Sequence, residues 1–402
     1  MKKIKVGVIV DNPNWDLEGL VLVATQLAMK NFEVFLIPMY KQRYFLKYQK
    51  IDIIILNYLR PNNLEIFLDY KRAGISVALL DTEGVAGRDL QEYADFVTKT
   101  KMSQLIDLYM FWGPGQIKAV ENKKGLIPIK TVVTGCPRFD FFEDPWKKSI
   151  NYDLKHKDFI LFNTNFPIVN PLYSEGQDSE YKTMLKVGFT KEYAENVVNQ
   201  NLFAFTGIKN LIKVLAEAKP NQQFVIRPHP FEDIDGYKEL TELNNIRVTK
   251  NGSANAMIFY SKCLIHLNCT TAIEAAFMDK PIYSPSWLNN KDIYRDLPQL
   301  LSDSVNTEGD MVRILKSLFD ENIKTQTDNT NIKNQDAIKN LFHLIDGKSS
   351  LRVSESIENL SASSKNNSII PRKHFKEKLK NVLIYLTEFP LLWQLREKLQ
   401  KF

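Results

Sequence analysis

Cysteine is scarce in this sequence. The three cysteines, Cys136, Cys263 and Cys269, contain no Cys-x-x-Cys spacing. So small and odd a number argues against a disulfide framework, and the spacing argues against a structural zinc site. The chain also has no run of about 18 uncharged apolar residues, the length that a membrane-spanning helix needs. These absences predict a protein of the reducing cytoplasm, and the short basic start before Asp11 is not expected to be a signal peptide.

Several nucleotide and metal motifs are also missing. The first apolar run leads into Asp11-Asn12-Pro13 rather than a Gly-x-Gly-x-x-Gly turn, which disfavours a bound dinucleotide. The sequence contains no P-loop of the form Gly-x-x-x-x-Gly-Lys-Ser/Thr and no His-Glu-x-x-His pair. The usual ATP-driven chemistry and zinc hydrolysis are therefore disfavoured.

What the sequence has instead is a regular alternation of short apolar runs and amphipathic stretches. A chain of 402 residues is too long for one ordinary core and predicts two domains and a tail. The runs are Val6–Val10, Glu33–Ile37, Ile53–Leu56, Ile75–Leu80, Leu108–Trp112, Thr131–Thr134, Phe159–Asn163, Phe224–Arg227, Cys263–Leu267 and Pro281–Ser284. Strands that alternate with helices form parallel sheets, so we expect an α/β protein with two Rossmann-like domains facing a cleft.

Breaks in composition set the expected boundaries. A polar segment around Pro145 predicts a first domain over residues 1–148 and a second over 149–320. The polar interval 321–370 predicts a surface helix and a flexible linker.

Most of the net charge of +6 lies in residues 371–402, which hold eight Lys or Arg against three Glu. Apolar residues at helical spacing make this a basic amphipathic helical tail, predicted to lie on an anionic membrane. The alternative is that the tail packs on the protein itself or on a partner. Because the folded body carries little net charge, nucleic-acid binding is disfavoured.

The most distinctive local motif is the predicted strand Phe224–Arg227 followed by Pro228-His229-Pro230. Prolines fix φ, so the imidazole of His229 is held at the carboxyl edge of the sheet, where open α/β sheets bind ligands. Arg227 offers a forked donor for phosphate or carboxylate. The motif predicts an anion site, and the alternative is a turn with a surface histidine.

A second motif leads from a strand through Asn268, Thr270 and Thr271 into a helix. Free backbone N–H groups at a helix start bind phosphate, and the threonine hydroxyls add donors. Glu274 stands three residues after Thr271, so it is either a capping-box partner or an acceptor for ribose hydroxyls.

Other polar residues follow strands in both halves. Asp81 and Glu83 end a buried strand before Gly84, and either carboxylate is a candidate to deprotonate an acceptor hydroxyl or attack an anomeric carbon. Helix capping is the alternative. One further strand end leads into a tight turn with Gly135, which places Arg138 beside the cleft. Another carries the neutral polar side chains of Asn163, Thr164 and Asn165. Both of these are equally consistent with structural turns.

In this order the motifs resemble the bacterial surface carbohydrate biosynthesis protein family over about residues 5–290. The matching segments are Asp81-Thr82-Glu83-Gly84, Gly135-Cys136-Pro137-Arg138-Phe139-Asp140, Asn163-Thr164-Asn165-Phe166, Arg227-Pro228-His229-Pro230 and residues 266–275. This family is similar, more distantly, to GT-B glycosyltransferases that use CMP-activated ulosonic acids such as Kdo or sialic-type sugars. Two positions depart from the pattern, Thr82 where a second acid is expected and Cys136 where an asparagine is expected.

The resemblance implies a GT-B-like fold with an acceptor-side first domain and a nucleotide-sugar-binding second domain. It places His229, Pro230, Thr270 and Thr271 at the CMP phosphate and makes Asp81 or Glu83 catalytic. It also implies an enzyme without cofactor or bound metal, acting on a nucleotide sugar and a glycan or glycolipid acceptor at the inner face of the cytoplasmic membrane. The open alternatives are a non-hydrolysing UDP-sugar 2-epimerase, a CDP-polyol phosphotransferase and a non-catalytic scaffold recruited to the membrane.

Overall fold

A computed structural model describes most of the chain between residues 3 and 364. The described residues are 3–13, 15–59, 63–82, 84, 90–99, 101–123, 128, 130–149, 158–172, 179–186, 189–290, 293–318 and 336–364. Glu83 and the whole predicted tail, residues 371–402, lie outside these ranges.

The first half alternates strands and helices. Its strands are β1 (Lys5–Val10), β2 (Glu33–Pro38), β3 (Ile53–Leu56), β4 (Ser76–Leu80), β5 (Leu108–Phe111) and β6 (Thr131–Val133). Its helices are α1 (Leu17–Met29), α2 (Gln42–Tyr48), α3 (Leu64–Arg72), α4 (Leu90–Lys99) and α5 (Pro114–Glu121). All strand pairs are parallel, in the order β2-β1-β3-β4-β5-β6. Strands such as Ile53–Leu56 are apolar throughout because helices cover both faces of the sheet.

The second half repeats this plan. Its strands are β7 (Phe159–Asn163), β8 (Phe224–Arg227), β9 (Ile246–Val248), β10 (Ser261–His266), β11 (Ile282–Pro285) and β12 (Asp303–Val305). Its helices are α6 (Ser179–Lys186), α7 (Lys191–Ala218), α8 (Ala254–Tyr260), α9 (Thr271–Phe277), α10 (Asp296–Leu300) and α11 (Glu308–Leu318). The sheet is again parallel, in the order β12-β11-β10-β7-β8-β9. The predicted architecture of two Rossmann-like domains is therefore confirmed, and the predicted boundary at residue 148 falls between β6 and β7.

Two strands, β9 and β12, were not predicted from the sequence. Each has only three residues and lies at an edge of the second sheet. In β12 the side chains of Asp303 and Ser304 are exposed and only Val305 is buried. Edge strands this short carry too few apolar residues to produce a periodic signal.

The last described helices, α12 (Asp336–Phe342) and α13 (Ser349–Ser364), return to the first half. Val353, Ile357 and Leu360 of α13 are buried in a core cluster with residues of β1, β3 and α1. The structure therefore differs from the expectation of a surface helix and polar linker over 321–370, as far as it describes that interval. Serine-rich composition hid the three apolar residues that helical spacing brings onto one face.

Aromatic side chains join the two halves. Phe139 of the first half packs edge-on against Phe277 of α9 at 5.2 Å between ring centroids and against Phe342 of α12 at 5.5 Å. Trp112 and Phe142 complete this buried cluster. Within the described part of the chain, no helix is both long and apolar enough to cross a membrane.

Candidate functional site

The carboxyl edges of the two sheets face each other. Glu18 at the start of α1 approaches Ser253 and Asn255 at the start of α8, with Oε2 at 3.4 Å from the serine hydroxyl and 3.5 Å from the amide nitrogen. A second contact joins Arg138, which follows β6, to Glu274 in α9. The segments that follow strands in one half therefore touch those that follow strands in the other.

Asn163 and Arg227 end the neighbouring strands β7 and β8 and are paired in register. Both side chains are buried, with 3% and 8% of their surface exposed. The Asn163 amide donates to the Thr271 hydroxyl at 2.8 Å, and Arg227 donates through Nη2 to the carbonyl of Gly252 at 3.1 Å. Asn163 Oδ1 and Arg227 Nε are buried with no hydrogen-bond partner among the residues described. A buried donor and a buried acceptor thus remain available at the carboxyl edge of the sheet.

His229 is half-buried just after this pair. Its Nδ1 accepts a hydrogen bond from the Phe231 backbone N–H at 3.2 Å, so the neutral ring carries its proton on Nε2. Burial first, and then the positive charges of Lys250 and Arg227, lower the pKa of His229 to about 4. Near pH 7 the imidazole is therefore a neutral hydrogen-bond donor.

Lys250 braces the same turn, and the sequence analysis did not identify it. Its ammonium donates to the carbonyl of Pro230 at 3.1 Å and also to the carbonyl of Glu232. Lys250 stands two residues after β9, a strand that the sequence did not reveal, so nothing in the pattern placed this lysine beside His229.

Glu232 is the other residue that sequence reasoning missed. Its side chain is fully buried, and Oε1 accepts from the His229 backbone N–H and from the Thr164 hydroxyl, each at 2.9 Å. Oε2 accepts from the Tyr237 hydroxyl at 2.5 Å. Burial raises the pKa of Glu232, although the hydrogen bonds that it accepts act in the opposite direction. A glutamate in a polar segment resembles a surface residue, so the sequence carried no signal for this role.

The second predicted motif surrounds the start of α9. Thr270 and Thr271 are half-buried there, and Thr271 receives the hydrogen bond from Asn163. Asn268 has φ +57, and its side-chain oxygen accepts from the Arg295 backbone N–H at 3.1 Å, which fixes the turn before the helix. With seven residues, α9 is a short helix, so its dipole is small.

Glu274 does not form the capping box that was one of its two predicted roles. The helix start has no side-chain cap, and the carboxylate instead pairs with Arg138, Nε to Oε1 at 3.0 Å. The Arg138 guanidinium also lies over the Trp15 ring, 4.1 Å from its centroid. Burial raises the pKa of Glu274, and the nearby Arg138 lowers it. Glu274 thus joins the halves beside the predicted donor site.

Asp81 of the predicted acid pair lies deep in the first half. Oδ2 accepts from the hydroxyls of Tyr93 at 3.2 Å and Tyr109 at 3.0 Å, and Oδ1 accepts from the Gly84 N–H at 3.0 Å. This carboxylate therefore organises the turn after β4. The other acid, Glu83, is outside the described residues.

The remaining predicted residues lie in different parts of the structure. Gly135 has φ +78 and faces α13, where an added Cβ would lie 2.6 Å from the Ser349 hydroxyl. Asn165 is half-buried beside Thr164. His266 is buried with both ring nitrogens hydrogen-bonded, to the Cys269 N–H and the Ser302 hydroxyl, as expected of a core histidine.

Two Rossmann-like domains with facing carboxyl edges, joined by C-terminal helices that return to the first domain, define the GT-B fold. No protein-family model and no curated protein matches the sequence. Solved structures do match. A protein described as a UDP-N-acetylglucosamine 2-epimerase from Listeria monocytogenes has a TM-score of 0.55 and 12% identity, with 92% of this chain and all of that chain covered.

Two further structures are similar. MnaA of S. aureus, solved with UDP, has a TM-score of 0.53 and 12% identity over 92% of this chain and 100% of its own. The wall teichoic acid polymerase TagF, as an H444N variant with CDPG, has a TM-score of 0.54 and 11% identity over 90% of each chain. Because the identity is this low, these similarities show the GT-B fold alone.

Proposed function

We propose that this chain is an enzyme of surface polysaccharide assembly that binds a nucleotide-activated sugar and transfers the sugar to a glycan or glycolipid acceptor. The observation that carries the proposal is the pair of buried, available groups at the carboxyl edge of the second sheet, Arg227 Nε and Asn163 Oδ1. Buried polar groups without partners are rare in native proteins, and a bound ligand supplies such partners. A phosphate oxygen of the ligand would accept a hydrogen bond from Arg227 Nε, and a hydroxyl or amide of the ligand would donate one to Asn163 Oδ1.

The neutral state of His229 suits this task. Its Nε2–H donates a hydrogen bond to a phosphate oxygen without placing a third cation beside Arg227 and Lys250. As the bond between phosphate and sugar breaks, negative charge develops on the leaving phosphate, and donors already in position stabilise it. Thr270 and Thr271, at the start of α9, add hydroxyl donors. We propose that these hydrogen-bond donors stabilise the leaving phosphate and that the reaction runs without a cofactor or a bound metal.

The acceptor side of the proposal rests on Asp81 and Glu83. An acid there would take the proton of the attacking hydroxyl as the new glycosidic bond forms at the anomeric carbon. Because the Asp81 carboxylate already accepts three hydrogen bonds, substitutions of each acid are needed to assign the role. Loss of turnover with unchanged donor binding identifies the reacting acid, and retained turnover in Asp81→Asn and in Glu83→Gln contradicts the assignment to this pair.

The donor that the family resemblance implies is a CMP-linked ulosonic acid. A second candidate function is the 2-epimerisation of a UDP-sugar, favoured by the similarity to the Listeria and S. aureus structures. A third is transfer of a polyol phosphate from a CDP-alcohol, since the TagF structure was solved with CDPG. The donors of these candidate reactions differ in their nucleobase and in the number of phosphates that the site must hold.

Calorimetric titration with CMP, CDP, UMP and UDP separates them, using the wild type, His229→Ala and the exposed-site control Glu242→Gln. Selective CMP binding that is lost in His229→Ala supports a transferase that releases CMP. Both the ulosonic-acid transfer and the polyol-phosphate transfer release CMP, so the mass added to the acceptor separates these two. Selectivity for UDP supports the epimerase, which also converts its donor when no acceptor is present. If none of the four binds, the proposed enzyme is wrong and a membrane-recruited scaffold is favoured.

The location is also part of the proposal. We infer that residues 371–402, with eight Lys or Arg against three Glu, hold the enzyme at the anionic inner face of the cytoplasmic membrane. Co-sedimentation with phosphatidylglycerol vesicles, but not with phosphatidylcholine vesicles, is the expected result. A protein ending at residue 370 should lose this binding, and equal sedimentation of both proteins would contradict the inference.

A further inference from the structure

We propose that Glu232 is a positioning residue for the donor site, because its buried carboxylate holds two neighbouring strand ends in one fixed arrangement. The consequence for ligand binding rests on the function proposed above, but the geometry of the contact does not. Glu232 follows the Pro-His-Pro turn, and a bridge between Pro171 and Glu232 adds a link to the segment after β7. The residue thus stands between the segments that follow β7 and β8.

One oxygen makes the connection. Glu232 Oε1 accepts from Thr164, which directly follows β7, and from the backbone of His229, which follows β8. Both distances are 2.9 Å, so a shift of either strand end lengthens at least one of the two hydrogen bonds. A single carboxylate oxygen therefore links the Thr164 hydroxyl to the His229 backbone, in addition to the backbone hydrogen bond that Thr164 N–H donates to the carbonyl of Arg227.

The other oxygen keeps that atom in place. Glu232 Oε2 accepts from Tyr237, whose hydroxyl also lies 2.8 Å from the Thr164 hydroxyl. Tyr237 is itself fully buried, and its ring packs edge-on against Phe205 of α7, with centroids 5.4 Å apart. The carboxylate is thus anchored to the domain core and cannot rotate independently of it.

The charged groups around this carboxylate restrain the same turn. Lys250 donates to the backbone carbonyls of Pro230 and Glu232. With its N–H held by Glu232 and its Nδ1 held by Phe231, His229 can direct only Nε2 towards a ligand. Glu232 and Lys250 therefore select the orientation of the imidazole without touching the ligand themselves.

Three substitutions of Glu232 test this role. Glutamine can keep Oε1 as the acceptor for His229 and Thr164 while its amide donates to the Tyr237 oxygen, so Glu232→Gln should bind within about threefold of the wild type. Aspartate is one methylene shorter and cannot reach both strand ends, so Glu232→Asp should weaken binding at least tenfold. Glu232→Ala should have at least as large an effect, and if it does not fold the aspartate variant carries the test. The exposed Glu242→Asp is the matched control.

The first measurement is calorimetric titration with each of CMP, CDP, UMP and UDP in turn. The second needs no ligand: ¹⁵N–¹H spectra of the imidazoles, with His229 assigned from His229→Ala among the five histidines, report which ring nitrogen carries the proton. The wild type and Glu232→Gln should show the Nε2–H tautomer, and Glu232→Asp should show a mixture of tautomers.

The two readouts separate the positioning role from the proposed function. If Glu232→Asp keeps both the wild-type tautomer and the wild-type affinity, Glu232 is not a positioning residue. If the tautomer changes in Glu232→Asp but none of the four nucleotides binds the wild type, the positioning role stands and the proposed function fails. Weak binding by Glu232→Gln with an unchanged tautomer would mean that the charge matters rather than the position, and would also overturn the proposal.

Discussion

Arg138 Nε lies 3.0 Å from Glu274 Oε1, and this ion pair connects the first half of the molecule to the second. Both side chains are almost fully buried, with 5% and 2% of their surface exposed. Trp15 covers the guanidinium and donates a further hydrogen bond to Glu274. The contact between the halves therefore depends on charges that are protected from water.

Removing one partner of this pair should destabilise the protein strongly. Glu274→Ala leaves the Arg138 guanidinium buried without its counter-charge, and the free energy of unfolding should fall by about 3–5 kcal/mol. The double variant Arg138→Met with Glu274→Leu removes both charges and should recover most of that loss. Urea unfolding curves of the single and double variants check this, and a loss below about 1 kcal/mol in Glu274→Ala would refute the importance of the pair.

Asp81 should prove important for stability. Asp81→Ala leaves the buried Tyr93 and Tyr109 hydroxyls without their shared acceptor, which should lower the free energy of unfolding by about 1–3 kcal/mol. Tyr109→Phe removes one donor and keeps the carboxylate, so it should have a smaller effect. Thermal and urea unfolding measure both variants. If Asp81→Ala instead keeps wild-type stability and loses only turnover, Asp81 is the reacting acid.

Two glycines in the left-handed region of backbone conformation form a matched test of how α13 packs. Gly74 has φ +70 with open space around it, and Gly135 has φ +78 with Ser349 beside it. Gly74→Ala should cost about 1–2 kcal/mol, because only the backbone conformation is disfavoured. Gly135→Ala should cost about 1–3 kcal/mol more, since the methyl group displaces α13. Amide hydrogen exchange should show faster exchange in α13 only for Gly135→Ala, and equal effects of the two variants would contradict this packing.

His229 should make stability depend on pH in a defined direction. Its pKa is about 4 in the folded protein and about 6.5 when unfolded, so between these values the unfolded chain binds more protons. The free energy of unfolding should therefore rise as the pH is raised from about 4 to 6.5. Urea unfolding at several pH values, compared with His229→Gln, checks the sign. The variant should lack a rise of about 1–3 kcal/mol, and identical pH profiles would show that the histidine is not buried as neutral imidazole.

The positions of the predicted site residues could be read largely from local sequence. Asn163 and Arg227 end strands with clear apolar runs, and Thr271 comes after another such strand; parallel strands place their carboxyl ends at one edge of a sheet. The hydrogen-bond partners of the site residues could not be predicted from local sequence. Asp81 contacts tyrosines 12 and 28 residues further along the chain, and no local pattern predicts such contacts.

By itself, the sequence determined that the chain forms two parallel α/β domains with polar residues after their strands, because strand periodicity and the rigid Pro-His-Pro turn are local properties. Only the tertiary structure decided that Arg138 pairs with Glu274, that Glu232 joins Thr164 to His229, and that α13 packs on the first domain. These contacts join residues from different elements, as far as 328 positions apart where Lys30 donates to Glu358 of α13. A buried charge or hydroxyl is stable only beside its partner, and the choice of partner follows from how the helices and sheets pack.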